Sequence, residues 1–250
     1  MFTFGSGALF AFPSGGNTAP NPTPTKFGTL QDVSLDVSGE LKELYGQKQF
    51  PEAVARGKQK ITGKAKFASI NGKLLNDLFF GLTLGTGMIK MALDESQTVP
   101  ATPFTITVAN AATFKQDWGV RYASGLSAGI PLMRVTASPA TGQYSVNSAT
   151  GVYTFAAGDQ GAQLQISYTF TAASTGTQIN VTNQLMGFAP NFQVLLENTY
   201  STSQYGILLY AAVASKLSIA TKQDDFLIPE FDFEAFAAPS GVVMDMYSTE

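Results

Sequence analysis

Two stretches of this chain alternate with period two. Between Val54 and Ala68, Arg56, Lys58, Lys60, Thr62, Lys64 and Lys66 occupy every second position, with Ile61, Gly63, Ala65 and Phe67 between them. Successive side chains of a β-strand point to opposite faces. The pattern therefore predicts a strand with one cationic face and one small or apolar face. The second stretch, Phe226 to Phe236, places Phe231, Phe233 and Ala235 on one face and Glu230, Asp232 and Glu234 on the other. Like charges spaced along one strand face repel, so an acidic surface is expected opposite the cationic row.

The rest of the chain also reads as strands. Residues 2–12 alternate loosely, and Ser14 to Thr25 is an extended arm rich in Pro, Gly and Thr, residues that interrupt a sheet. Lys26–Val37 reads as a strand, Ser38-Gly39 as a turn or bulge, and Glu40–Phe50 as a further strand ended by Pro51. One helix is predicted over Asn71–Phe80. Ser69 or Asn71 is its N-cap, Leu74, Leu75, Leu78 and Phe79 form its apolar packing face, and Gly81 is its stop. A strand follows over Gly85–Leu93. Short strands are expected at Phe104–Val108, Trp118–Ala123, Pro131–Thr136, Gln143–Val146, Val152–Phe155 and Ala162–Thr171, separated by turn residues. After Thr177, strands are read at Ile179–Phe188, Phe192–Tyr200 and Tyr205–Val213. A turn or short helical segment is read at Ser215–Ala220, and a last strand at Gly241–Tyr247.

The fold class that follows is mainly β, a β-sandwich or barrel with one flanking α-helix. Charge marks a division within it. From Thr98 to Ser174 only Lys115, Asp117, Arg121, Arg134 and Asp159 are charged. Residues 97–175 are therefore read as an inserted small β-sandwich module, and residues 1–96 with 176–250 as the core domain.

Composition narrows the chemistry. Only 13% of the 250 residues are charged, against about a quarter in an ordinary soluble domain, which points both to surface rich in Ser, Thr, Asn and Gln and to surface buried against partners. The net charge of −3 weighs against general nucleic-acid binding. The chain has no Cys and no His, which excludes disulfides, Cys or His zinc sites, Cys nucleophiles and Ser-His-Asp triads. Neighbouring strand positions face opposite ways, so neither Asp224-Asp225 nor Asp94-Glu95 is a ready acid/base pair, and both doublets are read as turn or loop residues. Gly85-Thr86-Gly87 and Gly5-Ser6-Gly7 lack the remainder of a phosphate loop. Trp118, the only tryptophan, is expected in the core. No enzyme activity, cofactor or metal is expected. The longest apolar run, Gly206–Ala214, is shorter than the roughly 20 residues of a membrane helix, and no basic residue precedes Lys26 as in a signal peptide. A soluble protein made in a cytoplasm is the expectation.

Three readings of the cationic row are open. It could bind a polyanion, face solvent or a lumen, or pair with the acidic row. Pairing is favoured, because both rows occur in one sequence with matching period and opposite sign. The working hypothesis is a subunit interface in which Arg56, Lys58, Lys60, Lys64 and Lys66 meet Glu230, Asp232 and Glu234, at least partly between copies.

The run LYGQKQFPEAVARGKQKITGKAKFASINGKLLNDLFFG (residues 44–81) resembles the signature region of major tail tube proteins of tailed bacteriophages. SKLSIATKQDDFLIPEFDFEAFAAPSGVV (215–243) resembles their closing region, and residues 117–155 are similar to a β-rich segment common in phage virion proteins. The resemblance implies a structural virion protein. Its copies form stacked rings, hexameric in that family, around a channel through which DNA passes without specific binding. It also implies location in the virion tail, assembly in the bacterial host cytoplasm, and contacts with tape-measure, terminator and baseplate proteins. The alternative is another virion part: a tail terminator, a baseplate ring or a head decoration protein.

Overall fold

The computed structural model describes residues 4–13, 23–69 and 71–249. Most of the Ser14–Thr25 arm lies outside the described residues. In chain order the strands are β1 Ala8–Pro13, β2 Thr25–Lys26, β3 Leu30–Tyr45 and β4 Pro51–Phe67, followed by the helical turn α1 Gly72–Leu75. Then come β5 Leu84–Thr98, β6 Thr105–Thr107, β7 Phe114–Tyr122, β8 Met133–Arg134, β9 Gln143–Asn147, β10 Val152–Phe155 and β11 Gln163–Ile179. The last four are β12 Asn191–Tyr200, β13 Ser203–Ser218, β14 Glu230–Ala235 and β15 Met244–Ser248. The protein is mainly β, as its alternation predicts, and neither unit closes into a barrel among the described residues.

Two compact units are formed, Met1–Leu84 with Ile179–Glu250, and Gly85–Gln178. The chain enters the second unit on β5 and leaves it on β11. The unit is therefore wider than the charge-depleted segment 97–175.

The first unit is one sheet in the order β2-β1-β12-β13-β14-β4-β3, with β15 also paired to β13. All of its pairings are antiparallel. Its inner face carries Leu9, Ala11, Phe67, Phe192, Leu209, Phe231 and Phe233, packed with Leu74, Leu75 and Leu78 of the helical segment. Phe79 is half-buried against the same cluster. The helix starts where its sequence predicts: the Asn71 side-chain oxygen accepts from Lys73 N (3.0 Å) and Leu74 N (3.3 Å), satisfying otherwise orphaned donors. It is not one regular helix. After α1 the turn widens into a π-helical segment, Asn76–Phe80. This buries Asn76, whose amide both donates to Leu82 O and accepts from Leu82 N. Gly81, at φ +61°, ends the segment in the left-handed region.

Three sequence expectations need adjustment. Ser38-Gly39 is not a turn but lies at a bulge: β3 runs through it as a single 16-residue strand, with Ser38 and Gly39 paired to Lys60 and Gln59 of β4 and the register shifting between Gly39 and Leu41. Residues 180–188 form no strand. Their apolar positions resemble a strand pattern, but no neighbouring strand pairs with them. Ser215–Ser218 is likewise not a turn, but the end of β13 in register with β14.

The second unit is a small sandwich of a four-stranded sheet, β6-β10-β9-β8, and a three-stranded sheet, β5-β11-β7. β10 pairs antiparallel with β6 and β9, β11 pairs antiparallel with β7, and β8 pairs parallel with β9. Its core holds Ile106, Val120, Tyr144, Tyr153, Leu164, Ile166 and Tyr168. Tyrosines bring hydroxyls into that core, and carboxylates meet them. Asp117 accepts from Tyr144 (2.8 Å) and Tyr153 (2.9 Å), Asp159 from Tyr122 (2.9 Å), and Glu95 from Tyr168 (2.6 Å). Burial and the adjacent carboxylate push the Tyr144 and Tyr153 hydroxyls far above their ordinary pKa. They therefore remain donors throughout the physiological range.

Candidate functional site

The two alternating rows meet within one chain. β14 lies beside β4 with Glu230 opposite Lys66, Asp232 opposite Lys64 and Glu234 opposite Thr62. Opposed residues of an antiparallel pair share a face, so the acidic and basic rows stand side by side on the outer face of the sheet. Lys66 Nζ lies 3.1 Å from Glu230 Oε1, and Lys60 Nζ reaches diagonally to Glu234 Oε2 at 2.8 Å. The pattern extends to the neighbouring strands. Asp32 stands opposite Lys66 and Asp36 opposite Thr62 on β3, and Lys216 of β13 stands opposite Asp232. The result is a lattice of alternating sign across four strands. A one-residue slip of β14 would turn its phenylalanines outward and its carboxylates into the core. The lattice and the apolar face thus specify the same register.

The Glu230 carboxyl is held below its usual pKa by its hydrogen bond and charge interaction with Lys66, helped by Lys216 and Lys64. A carboxyl whose native pKa lies below its unfolded value adds stability above the unfolded pKa. That contribution is lost as pH falls through the native value. Lys66→Met should therefore lower the urea midpoint at pH 7, and the difference from wild type should shrink on acidification below about pH 4. A difference unchanged at low pH would show that Lys66 acts by packing instead.

Two of the predicted basic residues are displaced from the row by a bulge. Gly39 pairs with Gln59 and the next pair is Leu41 with Arg56, so Gly57 and Lys58 together oppose Glu40. The extra residue reverses the facing of everything before it in β4. Arg56 does not share a face with Lys60, Lys64 and Lys66. It flanks Gly39 beside Gln59, its Cγ 3.7 Å from where a Gly39 Cβ would stand. Lys58 sits in the bulge itself, alongside Lys60 and Glu40.

The same pairings expose a feature that charge did not signal. β14 ends at Ala235, opposite Ile61, and residues before Ile61 in β4 have only β3 beside them. The β3–β4 hairpin continues as a two-stranded ribbon, and residues 36–60 are exposed on both faces apart from half-buried Pro51. Val33 and Leu35 of β3 pack into the core. By alternation Val37 and Leu41 continue that inner face, with Val54 beside them on β4. Leu41 is 64% exposed and Val54 54% exposed. The inner face of the sheet therefore runs on past the folded body uncovered, with Val37, Leu41 and Val54 exposed among Gln59, Arg56 and Glu43.

In the second unit Trp118 is not in the core but 58% exposed. Val120 pairs with Ile166 and the next in-register pair is Asp117 with Tyr168, so Trp118 and Gly119 oppose Ser167 alone. Gly119 takes φ +113°, a conformation open to a residue without Cβ. This bulge exchanges two side chains: uninterrupted alternation from the buried Val120 would put Trp118 inside and Asp117 outside. Asp94 and Glu95 are not loop residues either. Both lie in β5, where Asp94 pairs with Arg121 and Glu95 accepts from Tyr168.

Among the described residues, no three His, Cys, Asp or Glu side chains are grouped to hold a metal ion, and no helix is long and apolar enough to cross a membrane. Compared with family models and with curated proteins, the chain gives no match.

Proposed function

We propose that this chain is a structural subunit that assembles with copies of itself, and specifically a tail tube protein of a tailed bacteriophage. Its copies would form stacked rings around a DNA channel in the virion tail. The exposed β3–β4 ribbon carries this reading. A two-stranded ribbon is marginal in water by itself, and this one leaves Val37, Leu41 and Val54 uncovered beside Arg56 and Glu43, a mixed surface suited to a partner. In a ring or tube one surface patch meets a different patch on the next copy. A protruding ribbon that continues a sheet's inner face suits such a contact. The low charge content fits a surface largely covered by neighbours, and the sequence resemblance supplies the choice of tube over other assemblies.

The charged rows have a different part in this reading from the one their sequence suggests. Lys60, Lys64 and Lys66 already have Glu230, Asp232 and Glu234 beside them in the same chain. Intersubunit contact then falls to the ribbon, including Arg56 and Lys58. The double substitution Leu41→Glu with Val54→Glu should leave the thermal transition nearly unchanged, since both residues are exposed, and should abolish assembly. Electron microscopy and sedimentation of the purified protein would show long hollow tubes for wild type and monomers for the variant. Wild type that stays monomeric at high concentration, or a variant that still forms tubes, would refute the reading. Isolated rings without tubes would favour a terminator or baseplate ring.

A further inference from the structure

The Gly119 bulge places the chain's only tryptophan on the outer face of the three-stranded sheet of the second unit. Its Nε1–H donates to Thr169 Oγ1 at 3.3 Å, which tethers one edge of the indole. Beside the ring lies an open depression of about 360 Å3, at the small end of the roughly 300–1,000 Å3 of ligand sites. Its apolar lining includes Trp118, Met91 and Leu93, and its polar lining includes Arg121, Asp94 and Gln165.

The polar groups hold one another in place. Arg121 Nε donates to Gln165 Oε1 at 2.8 Å, and Arg121 Nη2 donates to Asp94 Oδ2 at 2.6 Å. Asp94 reaches Arg121 from a left-handed backbone position, φ +55°, which is uncommon for a residue with a Cβ. These bonds occupy one acceptor of Gln165 and two nitrogens of Arg121. The Gln165 amide N–H groups, Arg121 Nη1 and further Asp94 lone pairs are left for a ligand.

We propose that this depression binds a saccharide. A sugar ring has a face of C–H groups and an edge of neighbouring hydroxyls. The negative face of an indole attracts such C–H groups. A planar amide, guanidinium and carboxylate can pair adjacent hydroxyls as donors and acceptors. Other ligand classes fit less well. Asp94 neutralises Arg121, so no net positive charge is present to hold a phosphate backbone. An apolar peptide would cover the Gln165 and Arg121 donors without bonding them, which is unfavourable. At about 360 Å3 the open depression suits one or two sugar residues. Binding here is independent of whether the chain forms tubes.

Because Trp118 is the only tryptophan, its emission reads the site directly in the full chain. Titration with chitotetraose, cellotetraose, maltotetraose, xylotetraose and mannotetraose should give a saturable emission change for at least one of them in the millimolar range, and none with glycerol. Arg121→Ala keeps the fluorophore and should weaken that binding about tenfold or more, by losing hydrogen bonds to the ligand. By isothermal titration Trp118→Ala should lose binding, while Trp118→Phe should retain part of it. Circular dichroism melts of each variant monitor folding. The proposal is overturned if no sugar of the panel gives a saturable change, if glycerol matches the sugars, or if folded Trp118→Ala binds as wild type does. A wild-type emission already blue-shifted by self-association, and restored on dilution, would instead assign the surface to a protein contact and also overturn it.

Discussion

Replacing Asp117 by Ala should unfold the second unit at temperatures where the first remains folded. The Asp117 side chain is only 3% exposed. It accepts from the Tyr144 and Tyr153 hydroxyls and from Gly119 N (3.0 Å), and Arg134 Nη1 lies 3.6 Å from it. Alanine leaves two core hydroxyls without an acceptor and opens a cavity at the hydroxyl ends of two rings that stack 5.8 Å apart. Each orphaned buried donor costs about 1–3 kcal/mol, while Arg134, half exposed, stays hydrated when its partner is removed. For a unit of this size the melting point should fall by roughly 15 °C or more. Asp117→Asn keeps the shape and one acceptor oxygen, and should lose clearly less. Trp118, next to Asp117 in β7, reports on this unit by its emission, while far-ultraviolet circular dichroism also follows the first. A single unshifted transition for Asp117→Ala would show that the tyrosines find other acceptors.

Gly63→Val should be the most damaging single change in the first unit. Gly63 pairs with Phe233 across β4 and β14, and the Phe233 ring lies over the glycine. A Cβ on Gly63 would stand 2.1 Å from the ring's Cζ, well inside any allowed contact. The ring would have to leave a cluster in which it lies 6.1 Å from Phe231 and 6.4 Å from Phe192. Loss of a buried phenylalanine costs about 3–5 kcal/mol, and the strain of a displaced ring adds to that. Denaturation of Gly63→Val should show the loss, and Phe233→Leu added to Gly63→Val should restore part of it by making room. If Gly63→Val melts with wild type, the Phe233 ring is not held over the strand as described.

Local patterning determined much of this protein. Period-two alternation marks β4 and β14 as strands and assigns their apolar and charged faces, because burying one face of a sheet allows only one phase of the pattern. Asn71 and Gly81 mark the ends of the helical segment, because orphaned donors and a left-handed turn require such residues. The opposite signs of Lys60–Lys66 and Glu230–Glu234 even indicate which distant strands pair, although not that they do so within one chain. Tertiary pairing decided the rest. A bulge adds one residue to a single strand, and only the partner strand reveals it. At Gly57–Lys58 it carries Arg56 to the other face. At Trp118–Gly119 it brings Asp117 inside and turns Trp118 outward, creating both a buried carboxylate and an exposed aromatic surface. The uncovered β3–β4 ribbon was equally hidden. Val37, Leu41 and Val54 resemble core residues in sequence, and only the end of β14 at Ala235 shows that no strand covers them.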